Sequence, residues 1–208
     1  MTQYVEDTYQ KIAGAYADAF FDDVADLPFV DELVAVLSKD ARVLDLGCGP
    51  GQFSKYLAEK GFAVEGIDVS EEMLAIARAK VPGVQFKKMD MRALDYPDAS
   101  FDGILAAYSI IHIPTPELPR VLTELKRVLR PDGYILFIVQ KGEADQVVDE
   151  PLAKGEKVFM NFFNEDRLNR LLGAAGLTVF KQGLGQQTSE DVLASTVIWT
   201  LARPTRFR

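Results

Sequence analysis

Two spacings of hydrophobic residues alternate along the chain, and together they predict an α/β fold. Short apolar runs typical of buried strands occupy residues 43–46, 62–67, 84–89, 101–106 and 134–139. Segments with apolar side chains at helical spacing lie between these runs, at 52–60, 70–80 and 117–130. Ser70 and Thr115 are predicted to cap the second and third of these helices, and Asn164 a later one. Strands that alternate with helices in this way are expected to form a parallel sheet covered by helices on both faces.

Further elements are predicted on both sides of this alternating region. Two amphipathic helices precede the first strand, and an acidic break at 22–28 separates them. Their apolar stripes consist of Tyr9, Ile12, Ala13, Tyr16 and Phe20 in the first helix and Phe29, Val30, Leu33, Val34 and Leu37 in the second. After the fifth strand, a helix that begins at Asn164 and ends at Gly176 leads to two more strands, at 177–181 and 194–202.

The segment from 140 to 163 breaks the pattern. It is charged first and aromatic later, too irregular for a buried element and too apolar at its end for a free linker. We predict a substrate lid here rather than a plain surface insertion, because lids that exclude water commonly cover active sites. No repeat or low-complexity tract marks a second domain, so residues 1–208 are predicted to form one domain with an N-terminal helical cover at 1–40.

A loop with three glycines at 47–51 separates the first strand from its helix. Without side chains, such a loop lets a ligand approach the backbone and the N-terminus of the helix. The carboxyl ends of parallel strands open on one edge of the sheet, so Asp45 and Asp68 are expected to flank the loop. A dinucleotide fingerprint would need glycine where this chain has Gln52, and it is therefore excluded. Asp68 follows the glycine loop at the end of the next strand, and an acid in this position favours a ligand site over a purely structural turn.

Two stretches resemble one enzyme family. DLGCGPG at 45–51, followed by Asp68, resembles the first two motifs of the S-adenosylmethionine-dependent methyltransferases with a Rossmann-like fold. LKRVLRPDGYILF at 125–137 resembles the corresponding helix, turn and strand of that family. The resemblance implies a doubly wound, mostly parallel seven-stranded sheet with an antiparallel strand in its terminal pair. It also implies S-adenosylmethionine as the methyl donor and S-adenosylhomocysteine as the product.

The resemblance also implies a cofactor site at the strand ends. Asp68 is suited to accept both ribose hydroxyls, and Asp90 would accept the adenine amino group, with the amide of Met91 beside the ring. The glycine loop would follow the methionine part of the cofactor, with Asp45 directed towards its ammonium group directly or through water. The complete predicted cofactor site is Tyr9, Tyr16, Asp45, Gly47, Cys48, Gly49, Gly51, Asp68, Val69, Met73, Asp90, Met91, Ala106 and Ala107.

Several candidate side chains allow two interpretations. YQKIAGAYADAF at 9–20 resembles the N-terminal helix of many small-molecule methyltransferases, in which aromatic residues lie over the cofactor. Tyr9 and Tyr16 either have that role or belong to an ordinary helix core, and spacing does not separate these roles. Methyl transfer is a displacement that depends mainly on positioning, so a base is optional. Tyr108 and His112 follow the fourth strand and are the candidate catalytic residues; for His112 a structural role is slightly favoured over proton transfer. Cys48 is interpreted as a small buried residue rather than a nucleophile.

Composition narrows the range of partners. The net charge is −8, whereas binding to a phosphate backbone relies on clustered Lys and Arg. The fourth strand is followed by AYSI, and not by the Asn-Pro-Pro-Tyr type of motif found in methyltransferases of nucleic-acid bases. No apolar run approaches the roughly 20 residues of a membrane span, and residues 1–10 lack a signal core. A single cysteine, with no Cys/His cluster, predicts no metal site and a cytoplasmic location.

Together these features predict a methyltransferase that uses S-adenosylmethionine and transfers a methyl group directly to an oxygen, nitrogen or carbon of a small molecule. Two alternatives remain open. One is an S-adenosylmethionine-binding sensor or regulatory subunit without transfer activity, and the other is a methyltransferase for protein or RNA. The sequence leaves open whether the protein is a monomer or a homodimer.

Overall fold

The helices and strands largely follow the hydrophobic pattern. The computed structural model describes residues 2–187 and 195–205. The helices are α1 (Thr2–Phe20), α2 (Leu27–Val34), α3 (Gln52–Glu59), α4 (Glu71–Lys80), α5 (Leu118–Val128) and α6 (Glu165–Ala174). The strands are β1 (Arg42–Leu46), β2 (Ala63–Asp68), β3 (Gln85–Lys88), β4 (Phe101–Ala107), β5 (Leu129–Gln140), β6 (Asp145–Asp149), β7 (Lys157–Asn161), β8 (Leu177–Gln187) and β9 (Ser195–Pro204). Within the described ranges, no helix is both long and apolar enough to cross a membrane.

A seven-stranded sheet forms the centre of the molecule, in the order β3-β2-β1-β4-β5-β9-β8. The first five strands in this order are parallel, and β9 is antiparallel to both β5 and β8. The predicted doubly wound sheet with an antiparallel strand is thus confirmed. The strand order reverses between β1 and β4, so a crevice opens at the carboxyl ends of these two strands.

The sheet is buried on both faces, as its apolar strands predict. Val43 and Leu44 are neighbours in β1, both fully buried, and they belong to different apolar clusters because adjacent side chains of a strand point to opposite faces. The cluster around Leu44 includes Leu125 of α5, and the cluster around Val43 includes Leu33 of α2 and Leu57 of α3. The two halves of the core fix the sheet edge on which the candidate site lies.

The expectation of irregular structure at 140–163 is wrong. This segment contains a β-hairpin in which β6 pairs antiparallel with β7, from Asp145 opposite Asn161 to Asp149 opposite Lys157. Both strands are short, and only β7 buries several side chains, among them Phe159, so the alternation was too weak to detect. We call residues 145–161 the hairpin. Its role as a lid stays a prediction.

Other boundaries differ from the expectations for local reasons. The turn predicted between α5 and β5 is a bulge within β5, where the pairing with β4 shifts between Phe101 and Gly103. Strand β8 continues to Gln187, beyond the predicted end at 181. The predicted start of the last strand at 194 lies outside the described residues, and the described strand runs from Ser195.

Two of the three predicted helix caps are confirmed. The Ser70 hydroxyl accepts a hydrogen bond from the amide of Met73, and the Asn164 side chain accepts one from the amide of Arg167. Thr115 is not a cap, because its hydroxyl donates to Oδ2 of Asp145 at 2.7 Å and a 3₁₀ turn at Thr115–Glu117 precedes α5. The Thr115 hydroxyl, which was expected to cap α5, therefore binds the hairpin instead.

Candidate functional site

The glycine loop after β1 has the left-handed backbone that glycine adopts without strain. Gly47 has φ +70°, and a Cβ atom added there would lie 2.5 Å from Cβ of Ser109. Gly49 has φ +52°, but a Cβ atom at this position would meet only the ring of Tyr16, at 3.9 Å. Gly47 is therefore needed for close packing, whereas Gly49 presents bare backbone to the space beside the loop.

Asp68, the last residue of β2, holds this loop in place. Its Oδ2 accepts a hydrogen bond from the amide of Gly49 and its Oδ1 accepts one from the amide of Ser70, both at 2.9 Å. Burial raises the pKa of the Asp68 carboxyl, while these backbone hydrogen bonds act in the opposite direction. Two further loop amides donate to the carbonyl oxygen of Ile67, at 2.8 and 2.9 Å. The loop is therefore already ordered around the strand end.

A cavity of about 950 Å³, counting the space open to solvent, lies beside the loop, and we call it the glycine-loop cavity. Its walls come from α1, the carboxyl ends of β1 to β4 and the turns that follow them. The lining residues are Val5, Tyr9, Tyr16, Gly47, Cys48, Gly49, Gln52, Phe53, Ile67, Asp68, Val69, Met73, Met89, Asp90, Met91, Arg92, Ala107, Tyr108, Ser109, His112, Ile113 and Pro114.

Most residues of the predicted site meet in this cavity. The predicted residues that line it are Tyr9, Tyr16, Gly47, Cys48, Gly49, Asp68, Val69, Met73, Asp90, Met91, Ala107, Tyr108 and His112. Cys48 is only 2 % exposed, and burial raises the pKa of its thiol well above the usual range. A thiol in this state is a poor nucleophile, which supports the non-catalytic interpretation.

Three predicted residues do not line the cavity. Asp45 is 1 % exposed and accepts a hydrogen bond from the hydroxyl of Ser54 at 2.6 Å, so its side chain is used inside the fold. Burial raises the pKa of Asp45 to about 7. Gly51 packs against α4 and β3 rather than the cavity, because a Cβ atom there would lie within 3.2–3.3 Å of their side chains. Ala106 is fully buried in the core, while its neighbour Ala107 faces the cavity.

Asp90 lies where predicted, but an arginine engages its carboxylate. Arg92 donates to Asp90 through Nε at 2.9 and 3.1 Å and through a terminal guanidinium nitrogen at 2.5 Å. Burial disfavours the charged form of Asp90, yet the hydrogen bonds from Arg92 outweigh it, and the pKa of Asp90 is lowered. Arg92 also donates to Glu117 at 2.6 Å. The acid is thus held ionised at the cavity wall.

His112 links the N-terminal helix to the hairpin. Its Nδ1 lies 3.0 Å from the carbonyl oxygen of Phe159, which can only accept, so Nδ1 carries the proton. Its Nε2 then accepts from the hydroxyl of Tyr9 at 2.8 Å. Burial lowers the pKa of His112 to about 4, while the Phe159 hydrogen bond opposes the shift. Both ring nitrogens are engaged and the ring is neutral at pH 7, which fits the structural role.

A second cavity, which we call the hairpin cavity, adjoins the first between α1 and the hairpin. It measures about 1,350 Å³, counting the space open to solvent. Both cavities are lined by Tyr9, Tyr16, Gln52, Phe53 and Tyr108. The remaining lining residues are Phe20, Asp23, Asp26, Ile111, Gln140, Val148, Asp149, Glu150, Pro151, Leu152, Val158, Met160, Phe162 and Ser195. The two cavities therefore meet at a wall of aromatic side chains.

Tyr108 stands at this junction in a conformation that few residues adopt. It follows β4 with φ +52°, and its hydroxyl donates to Oδ1 of Asp26 at 3.0 Å. Burial raises the pKa of Tyr108, and the neighbouring charge of Asp26 raises it further. Burial also raises the pKa of Asp26 to about 6. A protonated phenol and a carboxylate thus form a pair beside both cavities.

Sequence reasoning missed several lining residues. In the sequence, Gln52 and Phe53 indicate only the start of a helix, and nothing indicates a role for Arg92. The structure shows that all three line the glycine-loop cavity and that Arg92 contacts Asp90. Ser109 is 5 % exposed, and its hydroxyl has no hydrogen-bond partner among the described residues. Asp26 lies in what reads as a solvated acidic break, and no local signal pairs it with a tyrosine 82 positions later.

The strand order, the glycine loop and the strand-end acids define an α/β protein that binds a nucleoside-containing ligand at its topological switch point. The family described as "Methyltransferase domain" matches residues 43–133. A phosphatidylethanolamine N-methyltransferase of Cereibacter sphaeroides is 38 % identical over 156 residues, which cover 72 % of this chain and 73 % of that one. The chain belongs to the S-adenosylmethionine-dependent methyltransferases.

Other matches agree in fold and differ in length. A putative methyltransferase of Bacillus subtilis is 42 % identical over 110 residues, and the match spans 50 % of this chain but only 44 % of that protein. A 1,6-didemethyltoxoflavin-N1-methyltransferase of Burkholderia thailandensis, solved with its substrate and S-adenosylhomocysteine, superposes with a TM-score of 0.80. At 23 % identity, covering 99 % of this chain and 89 % of that one, this likeness shows the shared fold.

The glycine-loop cavity has features that fit S-adenosylmethionine. Gly49 leaves room for a ligand against the backbone, and Asp68 ends β2 beside it. The Ser109 hydroxyl is a buried polar group without a partner, and such groups are costly unless a ligand or water satisfies them. These residues would hold the cofactor along the carboxyl edge of the sheet.

Proposed function

We propose that this protein methylates a small molecule bound in the hairpin cavity. The observation that carries the proposal is the pair of adjoining cavities, because a donor in one and an acceptor in the other would meet at Tyr9, Tyr16 and Tyr108. The relatives named for phosphatidylethanolamine and 1,6-didemethyltoxoflavin support an acceptor of this kind. The acceptor atom of that molecule is an oxygen, nitrogen or carbon.

The bound cofactor supplies a methyl group on a positively charged sulfur, which is open to displacement by a nucleophile in line with the leaving sulfur. We propose that Asp68 accepts the ribose hydroxyls and that Asp90 and the amide of Met91 contact the adenine. The loop at Gly47 and Gly49 would lie along the amino-acid part. Fixing donor and acceptor in line supplies roughly 7–11 kcal/mol in well-oriented cases, so binding geometry is the main catalytic device.

His112 serves as a positioning residue in this proposal. Because Nδ1–H donates to the hairpin and Nε2 accepts from Tyr9, the ring holds α1 and the hairpin together over the junction. Lys11 of α1 adds an ion pair with Glu156 of the hairpin at 2.9 Å. A cover tied at these points would exclude water from the transferring methyl group.

The test is transfer of isotope-labelled methyl from S-adenosylmethionine into fractions of a cell extract. Label in the fraction that passes a dialysis membrane, or in the lipid that organic solvent extracts, is the expected result. Label only in retained protein or RNA would overturn the small-molecule assignment in favour of a macromolecular acceptor. Tight binding of S-adenosylhomocysteine without transfer to any fraction would instead support a sensor or regulatory subunit.

A further inference from the structure

Acidic side chains line the hairpin cavity, and none of the described residues that line it is Lys, Arg or His. Asp149 is an exposed member of this set and is neutralised by Lys157, whose Nζ lies 2.7 Å from it. Asp23, Asp26 and Glu150 have no such ion pair among the described side chains. The cavity therefore favours a positively charged occupant.

Glu150 is the most deeply buried acid of this cavity, at 8 % exposure. Its Oε1 accepts a hydrogen bond from the amide of Leu152 at 3.0 Å, and burial raises the pKa of its carboxyl. Glu150 lines this cavity together with Tyr9 and Tyr16, whose pKa values are raised by burial and raised further by the charge of Glu150. A buried carboxylate without a counter-ion is costly, and a bound cation would offset that cost.

Asp26 brings a second carboxylate to the boundary between the cavities. It accepts a hydrogen bond from the hydroxyl of Tyr108, whose ring lines both cavities. Because Tyr108 directly follows β4, this carboxylate lies next to the place where the methyl donor and the acceptor are proposed to meet.

Aromatic rings and an apolar wall complete the chemistry of this cavity. The rings of Tyr9 and Tyr16 stand edge-on with centroids 5.9 Å apart, and the ring of Phe20 lies 4.6 Å from that of Tyr16. Ring faces attract cations. The apolar lining residues are Phe53, Ile111, Val148, Leu152, Val158, Met160 and Phe162. A head group with positive charge on an apolar body fits these walls.

We propose that the acceptor is an amine on an apolar body, and that Glu150 and Asp26 receive its ammonium group at the junction of the two cavities. This inference rests on the proposed function. An N–H bond of the ammonium breaks, and the proton passes to a carboxylate oxygen of Asp26. The freed nitrogen lone pair forms the N–C bond as the S–C bond breaks, and that electron pair stays on the sulfur of S-adenosylhomocysteine. The methylated nitrogen carries the positive charge, and the proton on Asp26 leaves to solvent.

A matched set of ligands tests the charge preference without depending on turnover. Octylamine, octan-1-ol and octanoate are titrated by calorimetry into the protein saturated with S-adenosylhomocysteine. The amine is expected to bind at least about tenfold more tightly than the alcohol, which corresponds to about 1.4 kcal/mol, with octanoate the weakest. Binding of the amine that is no tighter than that of the alcohol, or absent, overturns the inference.

Glu150→Gln separates a binding role from a structural one. The variant is expected to weaken octylamine binding, to leave octan-1-ol and S-adenosylhomocysteine binding unchanged, and to raise the Tm, because it removes a buried charge while keeping the acceptor for Leu152. A purely structural residue would lower the Tm and leave the amine preference intact, and that result contradicts the role. Glu143→Gln, at an exposed site that bonds Asn164, is the control and should change none of these quantities.

The pH dependence of binding tests Asp26. The groups that face its carboxyl are the Tyr108 hydroxyl, Asp23 and Tyr16. Burial raises its pKa to about 6, so the carboxylate and with it the affinity for octylamine are expected to increase as the pH rises through about 6. Asp26→Asn should remove this step. A step of the same size in the variant overturns the part assigned to Asp26, whereas failure of S-adenosylhomocysteine to bind at all overturns the proposed function.

Discussion

Replacing Asp68 by Asn tests the most specific role proposed for the cofactor site. Each oxygen of Asp68 already accepts one backbone amide at 2.9 Å, and each has a second lone pair for a ribose hydroxyl. Hydrogen bonds to a charged group contribute roughly 1.5–3 kcal/mol each. Loss of one such bond therefore raises the Kd for S-adenosylhomocysteine by roughly tenfold or more, since 1.4 kcal/mol is a factor of ten.

The assay is calorimetric titration of S-adenosylhomocysteine and of its analogue without the ribose 2′-hydroxyl. Asp68→Asn also disturbs the anchor of the glycine loop, and the analogue separates that effect from direct contact. If Asp68 binds the hydroxyl, the analogue binds more weakly than the parent compound to the natural protein but about equally to the variant. Glu72→Gln is the control, because it also removes one negative charge but at an exposed position on α4. A change in Kd below about threefold, under 0.7 kcal/mol, would refute the ribose assignment.

Two further predictions follow from the same geometry. Gly49→Ala places a methyl group in the glycine-loop cavity at a positive φ. It should weaken S-adenosylhomocysteine binding and reduce the free energy of unfolding by roughly 1–2 kcal/mol. Gly51→Ala places its methyl group 3.2–3.3 Å from packed side chains, so it should lower the Tm more but leave binding by the folded protein unchanged. Calorimetry and thermal unfolding check the pair, and equal effects on binding would contradict it. Tyr9→Phe and His112→Ala break the same hydrogen bond, so their effects on turnover should be non-additive, with His112→Ala alone costing less than about tenfold.

The elements that could be predicted are those whose conformation is determined by residues close together in the sequence. Strand, loop and helix between 42 and 59 follow from an apolar run, three glycines and a helical repeat, all within 18 positions of one another. The acid at Asp68 could be placed because parallel strands share an edge. The hairpin escaped prediction because its short strands bury few side chains, and so their alternation carries little signal.

The sequence predicted most residues that line the glycine-loop cavity, but not those that line the hairpin cavity alone. Positions at the sheet edge follow from topology, whereas the direction of a side chain depends on its neighbours. Asp45 was expected to face the ligand, but its carboxylate accepts a hydrogen bond from the Ser54 hydroxyl of α3 inside the fold. No pattern in the sequence encodes that hydrogen bond. The contact of Arg92 with Asp90 could not be predicted either, because it depends on the conformation of the turn after β3.

The hairpin cavity, where we propose that the acceptor binds, depends on contacts between distant parts of the chain. Asp26, which lines this cavity, meets Tyr108 across 82 positions, and Tyr9, which lines both cavities, meets His112 across 103. The proposed donor site, by contrast, lies mainly along the sheet edge and the glycine loop. Changes in the acidic break or the hairpin can therefore reshape the hairpin cavity without moving the strand ends that line the glycine-loop cavity. This separation explains why the sequence motif predicts the cofactor directly, while the acceptor has to be inferred from the charge and shape of the cavity beside it.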